Sequence, residues 1–318
     1  MVEKEKNISG ISDNLSESIT EQEALEKKHT EKSILQGKKI AISISESEDL
    51  ERLGLSEQHL KDISLEIARY LIVNGATLLY GGDLRNRGFT DLFSELSSQY
   101  KYLSDKKRRF INYFPFPTGR NLSTDDIASM MQKQVEVKRL EVPKHLGNPD
   151  PNKDYDPFNN NEDRFLFAEC FSDMRIKMSQ DCDARIVLGG RLKNFVGYFP
   201  GIVEETFYSL TEGKPIYLVG AFGGATKLLI RVLCGDKPIE LTNEFQLDSE
   251  FFINFRNFCQ GKSTVNFDYN SLFEYFQKYS IDSIAKHNGL TIEENNILFE
   301  STNIHEIVFL IVKGLLNI

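Results

Sequence analysis

Short apolar runs that end abruptly at glycine or serine recur along this chain, with helix-patterned segments between them. That alternation leaves few folds open. Residues 38–45 (KKIAISIS), 76–80 (ATLLY), 184–188 (ARIVL) and 216–219 (IYLV) are too short and too uniformly apolar for amphipathic helices and read as buried strands. Residues 110–116 (FINYFPF) form a further strand closed by Pro115 and Pro117, and 135–142 (VEVKRLEV) alternates as a strand does. A helix follows Ser56, with Leu60, Ile63, Ile67 and Leu71 on one face and Asn74-Gly75 at its end. Others cover 91–99, 124–133 and 164–180, and two more open at Gly201 and at Gly223-Gly224. In 164–180 the apolar face carries Phe167, Cys170, Phe171, Met174 and Met178, with Arg175 and Lys177 on other faces. The expected fold class is α/β: a Rossmann-like parallel sheet with helices on both faces.

The same reading divides the chain. Residues 1–36 are rich in Glu, Lys, Ser, Asn and Thr and hold no aromatic residue, so they cannot offset their ordering entropy and are read as a disordered tail. Residues 37–237 form the Rossmannoid core. From 238 to 318 strand signals cease; 251–258, 271–279 and 304–317 look helical, and a helical C-terminal region packed on the core is expected. The segment 143–163 is a long loop dense in Pro, Asn, Asp and Gly, read as a surface insertion in preference to a lid.

Net charge of −9 argues against an extended nucleic-acid partner. The four cysteines show no C-x-x-C pairing, so neither a metal site nor a disulfide frame is expected, and no cofactor is called for. The opening residues lack the apolar centre of a signal peptide and no run approaches the ~18 apolar residues of a spanning helix. A cytoplasmic protein without a membrane partner is expected.

The strand ends carry the chemistry. Ser45 ends the first strand; Gly81-Gly82-Asp83, followed by Arg85, ends the second; Gly189-Gly190, followed by Arg191, ends the fifth. Gly201 and Gly223-Gly224 open helices. In a parallel α/β sheet all of these lie at the carboxyl edge, where phosphates meet backbone N–H groups and helix N-termini. No Walker motif, no Gly-x-Gly-x-x-Gly after the first strand and no Gly-x-Ser-x-Gly elbow is present, which disfavours a P-loop NTPase, a dinucleotide dehydrogenase and a serine hydrolase. Glu204 and Glu205 are adjacent acids in the first turn of a helix. They complement its dipole, or one of them is aimed at a ligand, where a carboxylate orients a ribose hydroxyl or stabilises an oxocarbenium-like state.

ARIVLGG and PGIVEE together resemble the Leu-Pro-Gly-Gly-x-Gly-Thr-x-Glu-Glu signature of the Lonely Guy phosphoribohydrolases, split here by an insertion at 191–200. The likeness extends over roughly 38–233 and implies the SLOG superfamily of Rossmannoid nucleotide-binding domains, which also holds DprA-like proteins. MRIKM, YGGDLRNRGFT and VGAFGGA are similar to a bacterial conflict-system branch of it. By that resemblance the final glutamate of the motif is Glu205, the Pro of Pro-Gly-Gly is replaced by Leu188, the Thr by Ile202, and the catalytic Arg-Lys pair falls on Met174-Arg175. The resemblance implies a sensor of a nucleotide-derived small molecule, ADP-ribose-like or cyclic, in bacterial stress or antiphage signalling. Arg85, Arg175 and Arg191 would bind phosphates, Asp83 or Glu205 would take ribose hydroxyls, and the glycine turns would supply N–H donors. It also implies a homo-oligomer and an effector protein partner. The alternatives are a nucleotide N-glycosidase using Glu205 and Arg175 as catalytic residues, and a structural or oligomeric partner.

Overall fold

The computed structural model describes residues 33–100 and 108–318; the expected tail lies outside them as far as residue 32. Folded structure starts slightly before the expected boundary. Leu35 is buried, and its N–H donates to the Asn74 carbonyl at 2.8 Å.

Six strands form one sheet: β1 (Lys39–Ser45), β2 (Thr77–Gly81), β3 (Phe110–Phe114), β4 (Val135–Arg139), β5 (Ala184–Gly189) and β6 (Ile216–Val219). Every pairing is parallel, and the order is β4-β3-β2-β1-β5-β6. The chain lays β2, β3 and β4 outward from β1, then returns to place β5 and β6 on its other side. The order therefore reverses between β1 and β5, and their carboxyl ends flank the crevice where such sheets bind ligands. The β1–β5 register runs from Ile40 opposite Ala184 to Ser45 opposite Gly189, so the two strands end together.

The period of two along each strand sorts side chains between two cores. Ile40, Ile42, Ile44, Leu78, Tyr80, Ile186 and Leu188 pack with α1 (Glu57–Val73), α2 (Phe89–Gln99) and the last helix of the chain. Ala41, Leu79, Ile111, Tyr113 and Val187 face the opposite side. Each fully buried Leu or Ile contributes about 1.5–3 kcal/mol, so the apolar uniformity of the strands follows from their being covered on both faces. The strand read at 135–142 ends at Arg139, and 110–116 ends at Phe114, where Pro115 and Pro117 start the short helix α3 (Phe116–Gly119). The next helix, α4, is Thr124–Gln132.

The helix expected at 164–180 is longer, α5 (Asn161–Asp181), because Asn160 caps it by accepting from the Asp163 N–H at 2.7 Å. It is not amphipathic. Met174 and Met178 press on Ala41 and Leu79 of the sheet, while the other sides meet α6 (Gly201–Thr211) and the C-terminal helices. Covered on nearly all sides, α5 buries Arg164, Glu169, Ser172, Arg175 and Ser179. The reading of this helix as amphipathic, with one apolar face, is thus corrected.

Beyond α7 (Gly224–Leu233) the chain is helical, as expected: α8 (Asn243–Gln246), α9 (Glu250–Cys259), α10 (Tyr269–Phe276), α11 (Ile281–Asn288), α12 (Ile292–Glu300) and α13 (Ile304–Leu316). Of these, α8, α11 and α12 were not foreseen. α13 packs on α1, and α12 lies against β6. α9 grips the insertion at 191–200. Phe195 stacks near Phe252, Gln246 donates to the Leu192 carbonyl at 3.3 Å, and the buried Arg164 donates to the Phe195 carbonyl at 3.1 Å. The Arg164 guanidinium lies 4.7–5.0 Å from the rings of Phe251, Phe252 and Phe255, and burial pushes its pKa down to about 10.

Gly314 shows how tightly the C-terminal helices fit. A Cβ there would lie 2.5 Å from the Tyr217 ring and 2.6 Å from the Asn288 carbonyl oxygen. Gly314→Ala gains about 1 kcal/mol in helix propensity but overpacks a buried contact at a cost of about 1–3 kcal/mol. A lowered melting temperature is expected; an unchanged or raised one would show that α13 is not held against β6.

Candidate functional site

The crevice between β1 and β5 is built from three turns. After β5, the Gly190 N–H donates to the Ser45 carbonyl at 3.0 Å and the Arg191 N–H to Ser45 Oγ at 3.3 Å, locking the two strand ends together. Gly189 has φ of 60°, and a Cβ on it would stand 2.5 Å from that same carbonyl oxygen, so only glycine permits the junction. After β6, Gly223 and Gly224 lead into α7. After β2, Asp83 is held from two sides: Tyr80 donates its hydroxyl to Asp83 at 3.1 Å, and the Arg85 N–H donates to it at 3.1 Å. Burial, then the Asp83 charge, pushes the Tyr80 phenol well above its ordinary pKa of 10.0.

Three of the donors named from the sequence, Arg85, Arg191 and the N–H of Gly224, already have acceptors in the loop after β1, Glu46-Ser47-Glu48-Asp49. Arg85 donates from Nη1 to both oxygens of Glu46, at 2.8 and 3.1 Å, and Arg191 donates from Nη2 to the same carboxylate at 2.9 Å. Asp49 accepts the Gly224 N–H at 2.8 Å, capping α7. Glu48 accepts the Leu192 and Lys193 N–H groups at 3.3 and 3.4 Å. Ser47 donates to the Phe222 carbonyl at 2.7 Å. The space beside Gly223 is taken by Asp49, whose Cβ would lie 2.5 Å from an added Cβ. These glycines therefore admit the chain's own loop, not an open approach to solvent. Burial alone would raise the Glu46 carboxyl; a backbone hydrogen bond and the Arg85 and Arg191 guanidinia outweigh it and hold the group below its ordinary 4.5.

Beneath this layer the two glutamates at the start of α6 point to different partners. Glu204 is buried. It accepts from Arg175 Nη1 at 2.6 Å and from the Ser172 hydroxyl, and burial pushes its carboxyl upward against the pull of Arg175. Arg175 is walled in by Gly197 and Gly201, where an added Cβ would come within 2.9 Å of its Nη atoms, and by the Phe171 ring at 5.3 Å. Its Nε is buried without a hydrogen-bond partner and lies 3.9 Å from Glu205. Glu205 accepts at Oε2 from the Ser43 hydroxyl and from Arg185 Nη1 at 3.1 Å. Arg185 has no exposed surface and also donates to Ser43 at 2.7 Å, Ser179 at 3.1 Å and Ser209 at 2.5 Å.

The structure thus brings Ser45, Asp83, Arg85, Gly189, Gly190, Arg191, Gly223 and Gly224 to one rim, with Glu205 below them. Gly81 and Gly82 end β2, with Gly82 against the Phe114 ring. Arg175 and Glu204 form a buried pair beside Glu205, with the partly buried Gly201 against the guanidinium. Sequence reading missed Arg185, although an arginine inside the apolar run ARIVL signals a buried charge that needs partners. It also missed Glu46, Glu48 and Asp49, although the acid-rich SESED after the first strand lies at the edge where ligands bind. Among the described residues no group of three or more His, Cys, Asp or Glu side chains could hold a metal ion, and no helix is long and apolar enough to cross a membrane.

A family model described as SLOG cluster2 matches residues 34–298, and the chain belongs to that family. No curated protein and no solved structure matches it.

Two outcomes follow from these charges. Removing Arg175 strands a buried carboxylate, so Arg175→Met should cost about 3–5 kcal/mol in denaturant unfolding, and adding Glu204→Leu should restore most of it. A loss in the double variant equal to the sum of the losses in Arg175→Met and Glu204→Leu alone would show that the pair is not coupled. The Glu46 clamp, with its lowered carboxyl pKa, contributes fully above 4.5 and is lost as pH falls through the lower folded value. Wild type should therefore melt above Glu46→Gln at pH 6, with the gap closing as pH falls through that lowered value.

Proposed function

We propose that the chain binds a nucleotide-derived small molecule at the β1–β5 crevice, with phosphate on Arg85, Arg191 and the Gly224 N–H and ribose on Glu205, and that it acts as a sensor. The observation that carries this reading is the convergence of two arginines, from the turns after β2 and β5, on one carboxylate above the switch point. Guanidinia so placed offer paired donors to an anion. Glu205 supports the ribose assignment: its hydrogen bonds fall on Oε2, while Oε1 stands 3.9 Å from Arg175 Nε. Membership of the SLOG family supports a nucleotide-related ligand. A role in bacterial stress or antiphage signalling, a homo-oligomeric state and an effector partner belong to the same proposal.

Sensing is preferred to cleavage because Arg175, the counterpart of the hydrolase arginine-lysine pair, is enclosed and paired with Glu204. One feature favours an N-glycosidase as the second reading. Arg185 and Ser43 hold Glu205 fixed, and a prepositioned carboxylate stabilises an oxocarbenium-like state.

Calorimetry with nucleoside mono- and diphosphates, NAD and ADP-ribose should give saturable binding. Loss of either Arg85 or Arg191 to alanine should weaken it about tenfold or more, as for a charge-assisted hydrogen bond. No saturable binding to any of these compounds would overturn the proposal. Free base released on incubation, and abolished by Glu205→Gln, would replace sensing by hydrolysis.

A further inference from the structure

The loop after β1 presents carboxylates to the very donors that the proposed reading assigns to phosphate, and these acceptors come from a segment only four residues long. Glu46 serves both guanidinia, Asp49 serves the Gly224 N–H at the start of α7, and Glu48 serves two further N–H groups. The two principal anion positions are close neighbours through Gly190, which precedes Arg191 and whose carbonyl accepts the Ala225 N–H at 3.0 Å.

We propose that residues 46–49 are an internal occupant of the phosphate sites, and that the crevice responds to ligands with at least two phosphate groups, which displace both Glu46 and Asp49 and release the loop. This rests on the reading of the crevice as a nucleotide site and adds to it the class of ligand and the means of signalling.

Two features make the loop displaceable. Arg85 and Arg191 are about half exposed, at 47% and 48% of their side-chain surface, so their pairs with Glu46 are screened by water and weak. A phosphate carries up to roughly two negative charges and three acceptor oxygens, against one charge on a carboxylate, and competes well for paired guanidinia. Two further features make the closed loop a built state. Gly223, at φ of 66°, leaves the room that Asp49 fills, and Leu50 is buried at the end of the acidic segment. A monophosphate replaces one carboxylate and leaves the other to hold the loop. A diphosphate replaces both, and the loop then exposes Leu50 as a contact for whatever reads the signal.

The test compares inorganic pyrophosphate, ADP and AMP on the full chain, wild type and Glu46→Gln/Asp49→Asn. Binding is measured by calorimetry and loop release by hydrogen exchange over residues 46–55. Pyrophosphate and ADP should bind the double variant at least tenfold more tightly than wild type. In wild type, ADP should speed exchange in the loop and saturating AMP should not. Binding by wild type that the double variant does not tighten, or ADP that slows loop exchange, would overturn the loop's role while leaving the crevice as a binding site. Absence of binding by wild type and variant alike would remove both. Melting curves establish that the variant is folded; if it is not, Glu46→Gln alone, which removes one charge at a solvent-facing pair, carries the same comparison.

Discussion

A guanidinium with no access to water stands in the strand beside the switch point, and much of the crevice is arranged around it. The Arg185 guanidinium cannot be left unpaired, because an isolated charge in a protein interior is far too costly. Its needs are met from four directions: Ser43 on β1, Ser179 on α5, and Ser209 and Glu205 on α6. The position of Glu205 is therefore set by a debt of charge within the core as much as by any ligand. A second buried pair, Arg175 with Glu204, settles the neighbouring turn of α6 in the same way. Two adjacent glutamates that look equivalent along the chain are thus divided into one that closes a buried pair and one that reaches the crevice floor.

The sheet was legible because its signal is local. Strands covered on both faces are mostly apolar, and the reading of 184–188, in spite of Arg185, and of 216–219 needed no knowledge of the rest of the chain. The strand ends were legible for the same reason, since glycine punctuates a β–α junction wherever it occurs. Helices α11 and α12 were missed because segments such as Ile281–Asn288 are short and largely polar, and gain their order from packing.

What stayed hidden depends on partners far apart in sequence. Arg175 reads as a polar residue off the apolar face of an amphipathic helix until α6 and α9 are seen to cover that helix. Arg185 meets Ser43 across 142 positions, and Arg191 meets Glu46 across 145. A carboxylate in a loop is usually solvated, so nothing about SESED by itself says that it will sit on two arginines and a helix terminus. The glycines were correctly placed at the edge, but their role changed. At Gly189 and Gly223 the missing side chain makes room for Ser45 and Asp49 of the same chain.

The insertion between the two halves of the glycine motif mechanically joins the crevice rim to the C-terminal helices. Residues 191–200 are held by Gln246 and Phe252 of the C-terminal helices, by Arg164 of α5, whose guanidinium lies among rings that those helices supply, and by Glu48 of the loop after β1. A change that loosens α9 therefore reaches the crevice rim through this segment, which carries Arg191 at one end and the Phe195 contact to Phe252 in its middle.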